Sequence, residues 1–154
     1  MSYQEWVSLF GLSATDPQVS AALAKAGVTK VIALASDELA MRADMKDQGM
    51  SIGFTSELKL RNGVADLPIL TSVMMKLIPA KAAKGWTCYA GQLPQGLKAT
   101  DTKNDVVTRL GEPQTLSTDF FSGRWRVDGL NLGVTFTSDW MKIRQLGLSL
   151  PGSL

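Results

Sequence analysis

Five carboxylates, Asp44, Asp47, Glu57, Asp128 and Asp139, stand where turns or strand ends are expected. Paired carboxylates can act as general acid and base. Turn positions give them another use, accepting hydrogen bonds from nearby backbone N–H groups, and that is the reading adopted. Ser72 and Lys76 have the spacing of a Ser-x-x-x-Lys pair. On a strand that offset leaves both on one face but far apart, so no nucleophile is expected there. The chain has no His, which removes Ser-His-Asp, Cys-His and His-metal arrangements. Cys88 is the single cysteine. It cannot form an intramolecular disulfide, and without His the usual zinc ligands are missing; it is expected to be a small buried residue. No G-x-G-x-x-G or Walker pattern occurs, and "GQLPQG" places a proline where a phosphate cradle needs backbone donors. Met74 and Met75 are expected to fill the core. No catalytic residue, cofactor or metal is assigned.

The elements that would position any site are written twice. "GLSATD" at Gly11 returns as "GLKATD" at Gly96. In the first copy Asp16 is an N-cap, Pro17 is N1, and Val19, Ala22, Leu23 and Ala26 form an apolar stripe before Gly27. In the second, Asp101 is the expected cap and Val106, Val107 and Leu110 the stripe, with Gly111 and Pro113 ending the helix. Downstream, "GMSIGFTSE" from Gly49 answers "GLNLGVTFTSD" from Gly129, two residues longer. Leu130, Leu132, Val134 and Phe136 alternate with polar or small residues, as Met50, Ile52 and Phe54 do, which is the pattern of half-buried strands. Each copy closes on a strand ending in proline, Val73 to Pro79 and Leu146 to Pro151, and "LRNGVADLPILTS" lengthens the first copy. "SGRWRVDG" adds a strand running into an Asp128-Gly129 hairpin turn, with the more polar "MRADMKDQG" as its counterpart.

The expected fold class is therefore α+β: a tandem repeat of a helix followed by antiparallel strands, residues 1–80 and 81–154, with one sheet face under the helices and the other open. With 154 residues and 45% hydrophobic content the chain can bury a real core. Sixteen basic residues are scattered among fourteen acidic ones for a net charge of +2, which gives no stripe for nucleic acid. Lys76, Lys81 and Lys84 are read as a solvated connector. The opening "MSYQEWVSLF" lacks the pattern of a secretory signal and no apolar run approaches a membrane span, so the expected setting is cytoplasmic, without a membrane.

On the strand "RWR", Trp125 and the two arginines must face opposite sides. If Trp125 faces the helix, Arg124 and Arg126 face the open side, and Arg is a favoured interface anchor. Alternation adds Asn131 and Thr135 from the second copy and Ser51 and Thr55 from the first as candidate partner-binding residues. Trp140 and Trp86 are expected to be partly exposed.

A helix ending "RLGEP" followed by a hairpin-rich segment, all duplicated, resembles the tandem-repeat fold of β-lactamase inhibitor proteins, a unit that small outer-membrane assembly lipoproteins carry once. "YAGQLPQGL", "DVVTRLGEP", "RWRVDGLNLGVTF" and "IRQLGLSLP" are also similar to small bacterial proteins encoded beside secreted polymorphic toxins, including type VI effectors, and taken as their immunity proteins. The resemblance covers most of the chain, best from Tyr89 to Pro151, and its motifs are structural. It implies a binding protein that occludes a cognate toxin or effector with its sheet face; no contact residue carries over, and the oligomeric state is left open. The lipoprotein members' signal and lipobox are absent, which points away from envelope assembly. The chain also lacks the acidic excess suited to plugging a cationic nuclease site. A small enzyme with a carboxylate-based or Ser/Lys site and a structural module of a secretion assembly are the alternatives.

Overall fold

The computed structural model describes residues 1–78 and 84–153. Pro79, the expected end of the first closing strand, and Lys81 lie outside them. Helix α1 (Tyr3–Val7) is closed at its start by a Ser2–Glu5 capping box. Helix α2 (Pro17–Lys25) begins as its sequence predicts, Asp16 accepting from the Gln18 N–H with Pro17 in the first turn. Three strands follow, β1 (Ala40–Met45), β2 (Met50–Ser56) and β3 (Pro68–Lys76), with the short helix α3 (Glu57–Arg61) between the last two. Helix α4 (Lys103–Leu110) precedes β4 (Thr115–Ser117), β5 (Ser122–Val127), β6 (Leu130–Phe136) and β7 (Ile143–Ser149).

The seven strands form a single antiparallel sheet in the order β1-β2-β3-β7-β6-β5-β4, so the protein is α+β. Both closing strands meet at its centre, Ser72 to Lys76 against Ser149 to Gln145. The hairpin of β5 and β6 closes through Asp128 and Gly129, both at positive φ, the combination that matches a two-residue turn to strand twist. The β1–β2 hairpin uses four residues, with a 3-10 turn at Lys46–Gln48 and Gly49 at φ 68°. Two bulges interrupt the ladder. One leaves Thr71 unmatched beside Gly53 and Phe54, the other Arg144 beside Thr135 and Phe136. The two "GL-ATD" segments each run beside the start of a closing strand: Gly11 N–H donates to Leu70 O and Ala14 N–H to Pro68 O, while Ile143 N–H donates to Ala99 O.

Cross-strand register fixes which residues share a face. Trp125, Leu132, Leu148, Val73, Ile52 and Ala43 form one row across six strands. All are buried, in one core with Trp6 of α1, Val19 and Leu23 of α2 and Val106 of α4. Trp125 also donates its indole N–H to Gly111 O at 2.9 Å, fastening β5 to the end of α4. Val107 and Leu110 are half-buried beside this core.

Four expectations need correction. Thr102, not Asp101, caps α4, in a reciprocal box with Asp105, because Asp101 already holds the preceding turn through the Lys98 N–H. Cys88 is exposed, lying in the irregular connector instead of an element that faces the core. Met74 is half-exposed while Met75 is buried, since adjacent strand residues must point to opposite faces. The first closing strand begins at Pro68, five residues earlier than Val73, so the apparent insertion supplies the end of α3 and the start of β3. Among the described residues no helix is long and apolar enough to cross a membrane.

Candidate functional site

The sheet face away from the helices is built from the residues that alternate with the core rows. One row runs Arg42, Gly53, Ser72, Ser149, Asn131, Arg126, and the next Asp44, Ser51, Met74, Gly147, Gly133, Arg124, Thr115. A third carries Lys76, Gln145, Thr135 and Ser122. Gly147 and Gly133 sit side by side at the centre, so the sheet presents bare backbone between Met74 and Arg124. The result is a groove of about 240 Å³, lined by Arg42, Ser51, Ser72, Met74, Arg124, Asn131 and their neighbours on these rows. Its lining is mostly apolar, from Val73, Met74, Leu146 and Leu148, edged by hydroxyls, amides and the two arginines, and no carboxylate or aromatic side chain lines it.

All six residues expected on the open side lie on this face, with differing access. Arg124 and Arg126 are exposed, Thr135 is half-buried, and Asn131, Ser51 and Thr55 are only 8%, 2% and 3% exposed. The expectation of surface access thus fails for the last three. Ser51 is a small residue between the longer Asp44 and Met74, which shade it. Thr55 is covered by the segment after β7: its Oγ1 bonds Thr71 Oγ1 at 2.8 Å and donates to Ser153 O at 3.4 Å, and Lys59 Nζ reaches the same carbonyl. Asn131 is held by its cross-strand neighbour, with Arg126 Nε donating to its Oδ1 at 3.2 Å. Ser51, Asn131, Thr135 and Arg124 line the groove, whereas Thr55 borders a separate depression beyond Gly53.

The electrostatics of the face are one-sided. Arg42, Lys76, Arg124 and Arg126 stand against Asp44. Among the described residues the one ion pair joins Arg61 to Glu57 at 2.8 Å, so none of the three face arginines has a carboxylate within 4 Å. Arg42 instead reaches Met74 Sδ at 3.7 Å, and Lys76 lies 4.1 Å above the half-exposed Trp86 ring. Ser51 Oγ, buried at the groove, has no hydrogen-bond partner.

Three of the other turn carboxylates, Glu57, Asp139 and Asp128, are tied up in hydrogen bonds. Glu57 accepts from the Val64 N–H and from Arg61, which together hold its pKa below the usual range. Asp139 is likewise lowered, first by the Thr137 hydroxyl and then by the Met141 N–H. Asp128 accepts from Gln95 at 3.0 Å. Burial raises the Tyr3 and Tyr89 hydroxyls, away from the groove. Among the described residues no three His, Cys, Asp or Glu side chains gather as metal ligands would.

Comparison of the chain with protein-family models, with curated proteins and with solved structures gives no match.

Sequence reasoning did not single out Arg42. It stands opposite Gly53 as Arg124 stands opposite Gly133. The hint is present in "GMSIG" and "GLNLG", whose glycines correspond, but the β1–β2 turn is two residues longer than the β5–β6 turn. Counting back equally from the two glycines therefore misses the equivalence of the arginines.

Proposed function

We propose that this protein is a binding protein of the immunity or inhibitor kind, which docks the open face of its sheet on a cognate secreted bacterial toxin and occludes that toxin's active site. The supporting observation is the face itself: seven strands wide, on the side of the sheet away from the core helices, with a bare-backbone groove and three arginines that have no carboxylate among the described residues to neutralise them. Unpaired guanidiniums beside a concave surface suit recognition of a partner, since exposed Arg supplies planar, bidentate contacts at interfaces.

The tandem-repeat reading belongs to the same proposal. Helix α2 with β1, β2 and β3 and helix α4 with β5, β6 and β7 have the same order, and the strand order is symmetric about the β3–β7 pair. The bulges fall immediately before Phe54 and Phe136, the matching phenylalanines of the two copies. Each copy sets an arginine across from a glycine, Arg42 with Gly53 and Arg124 with Gly133. This supports a fold like that of β-lactamase inhibitor proteins, with β4 as an addition to the second copy. A cytoplasmic setting, with neither nucleic acid nor membrane as partner, completes the reading.

The test is co-expression with candidate toxin domains in cells whose growth each toxin arrests. Rescue of growth together with a stoichiometric complex supports the proposal. In that complex Arg124→Glu or Arg126→Glu should weaken binding with the urea midpoint of the free protein unchanged. Unchanged affinity in both variants removes the two arginines from the interface, and rescue by no pairing removes the immunity reading.

A further inference from the structure

The groove's chemistry specifies its occupant more narrowly. We infer that it takes an acidic segment of a partner protein, an extended stretch or loop whose Asp or Glu carboxylates reach Arg42 at one end and Arg124 at the other. The inference rests on the reading of this face as a docking surface, though not on the partner being a toxin.

Three independent features lead there. First, Arg42 and Arg124 both line the groove from opposite sides, and neither has a carboxylate within 4 Å among the described residues. A guanidinium left without a counter-charge favours carboxylate partners through bidentate, charge-assisted hydrogen bonds. Second, Ser51 is 2% exposed and its Oγ meets no hydrogen-bond partner while bordering the groove. A buried hydroxyl in that state gains from an incoming acceptor or donor, because the cost of its desolvation is already incurred. Third, the floor at Gly133 and Gly147 lacks side chains, so a peptide can approach the sheet closely.

Dimensions fit a short extended peptide. Five strand intervals of about 4.8 Å separate β1 from β5, about 24 Å in all, and six extended residues span about 20 Å. The arginine side chains cover the remainder by reaching inward. Nucleic acid is a poorer match: the lining offers no aromatic ring on which a base could stack.

The test uses a hexaglutamate peptide as probe, with hexaglutamine and a six-nucleotide oligothymidylate as comparators, against the full chain at low salt. Hexaglutamate should shift the amide resonances of Ser51, Ser72, Asn131, Gly133 and Gly147, and its affinity should fall as salt rises. Hexaglutamine should give no such shifts. The double variant Arg42→Gln/Arg124→Gln should bind at least tenfold more weakly. Both side chains are exposed, so its urea midpoint should match the parent, and an equal midpoint assigns the loss to binding. Gly133→Val should abolish the shifts by filling the groove. The inference is overturned if hexaglutamate gives no saturable shifts, if the double variant binds it equally well, or if the oligothymidylate binds more tightly. A toxin neutralised equally by the parent and the double variant leaves the inhibitor reading standing and removes the acidic segment. Hexaglutamate held in the groove with no toxin neutralised does the reverse.

Discussion

Two glycines of this sheet should respond to substitution with opposite signs. Gly133 lies in mid-strand with ordinary extended backbone, and a Cβ added there meets nothing within 4 Å. Gly49 sits at φ 68°, where an added Cβ would fall 2.6 Å from Thr87 O and closer still to Tyr89 N, both backbone atoms unable to swing aside. At position 133 a side chain removes the entropic cost of glycine in a strand, about 0.5–1 kcal/mol, and a β-branched one suits the pleated surface. Gly133→Val should therefore raise stability by about 0.5–1 kcal/mol, or about 1–4 °C in Tm for a domain of this size. Gly49→Ala incurs about 1–2 kcal/mol for a left-handed L-residue and about 1–3 kcal/mol for overpacking, a loss of about 2–5 kcal/mol. Urea titrations followed by circular dichroism, with the slope checked for constancy, measure both. A Gly133→Val chain destabilised by more than about 1 kcal/mol would refute the argument, since it would mean that the space above residue 133 is occupied or its backbone strained.

Other consequences can be tested in the same titrations. Trp125→Phe keeps most of the ring's burial but takes the donor from Gly111 O, so it should cost about 0.5–1.5 kcal/mol, against about 3–5 kcal/mol for Trp125→Ala; a Trp125→Phe chain as stable as the parent would show that the indole N–H contributes nothing. Thr102→Ala should cost about 1 kcal/mol by opening the capping box of α4, and more than Asp101→Ala; the reverse order would restore Asp101 as the cap. Because the folded-state pKa of Glu57 lies below its unfolded value, owing to the Val64 N–H and then Arg61, its ionised contacts stabilise the fold above the unfolded pKa. That contribution is lost as pH falls through the folded value. Glu57→Gln should accordingly flatten the acid limb of the stability curve below about pH 4 while lowering stability at neutral pH, and an unaltered acid limb would contradict it.

How far the sequence reveals this arrangement depends on the range of the information each feature needs. Asp16–Pro17 and Asp128–Gly129 specify a helix start and a two-residue turn from two adjacent letters, and both form where expected. Trp125 and its flanking arginines separate correctly because period-two alternation is a property of any strand. Asp101 and Thr102 are both good caps by residue type, and the choice between them turns on which one the preceding Lys98–Asp101 turn already uses. β2 reads as half-buried yet is buried on both faces, since its outward residues are small and their cross-strand neighbours, among them Arg42 and Met74, are long. Cys88 offered no pattern at all, only a residue-type tendency, and its irregular segment did not follow it.

The groove lies at the far end of that scale. Its floor joins Gly133 to Gly147, residues of two different strands, and its further wall joins Gly147 to Met74, which stand far apart in the chain. No local periodicity encodes that second pairing, which is set by how β3 and β7 align. Once the alignment is known, the composition of the face acquires a meaning that the linear order conceals. Gly53, Gly133 and Gly147, poor strand formers at about 0.5–1 kcal/mol each relative to alanine, converge on one side of one sheet, beside arginines without carboxylates and a serine hydroxyl without a partner. Of the three glycines, Gly133 alone has open space where a Cβ would stand, whereas a Cβ at Gly53 would meet Ser72 Oγ and one at Gly147 would press on Val73 O. The open backbone at Gly133, the arginines and the Ser51 hydroxyl share one face, while the opposite face holds an unbroken apolar row from Ala43 to Trp125, and that division of labour is what supports the proposal that the first face meets a partner.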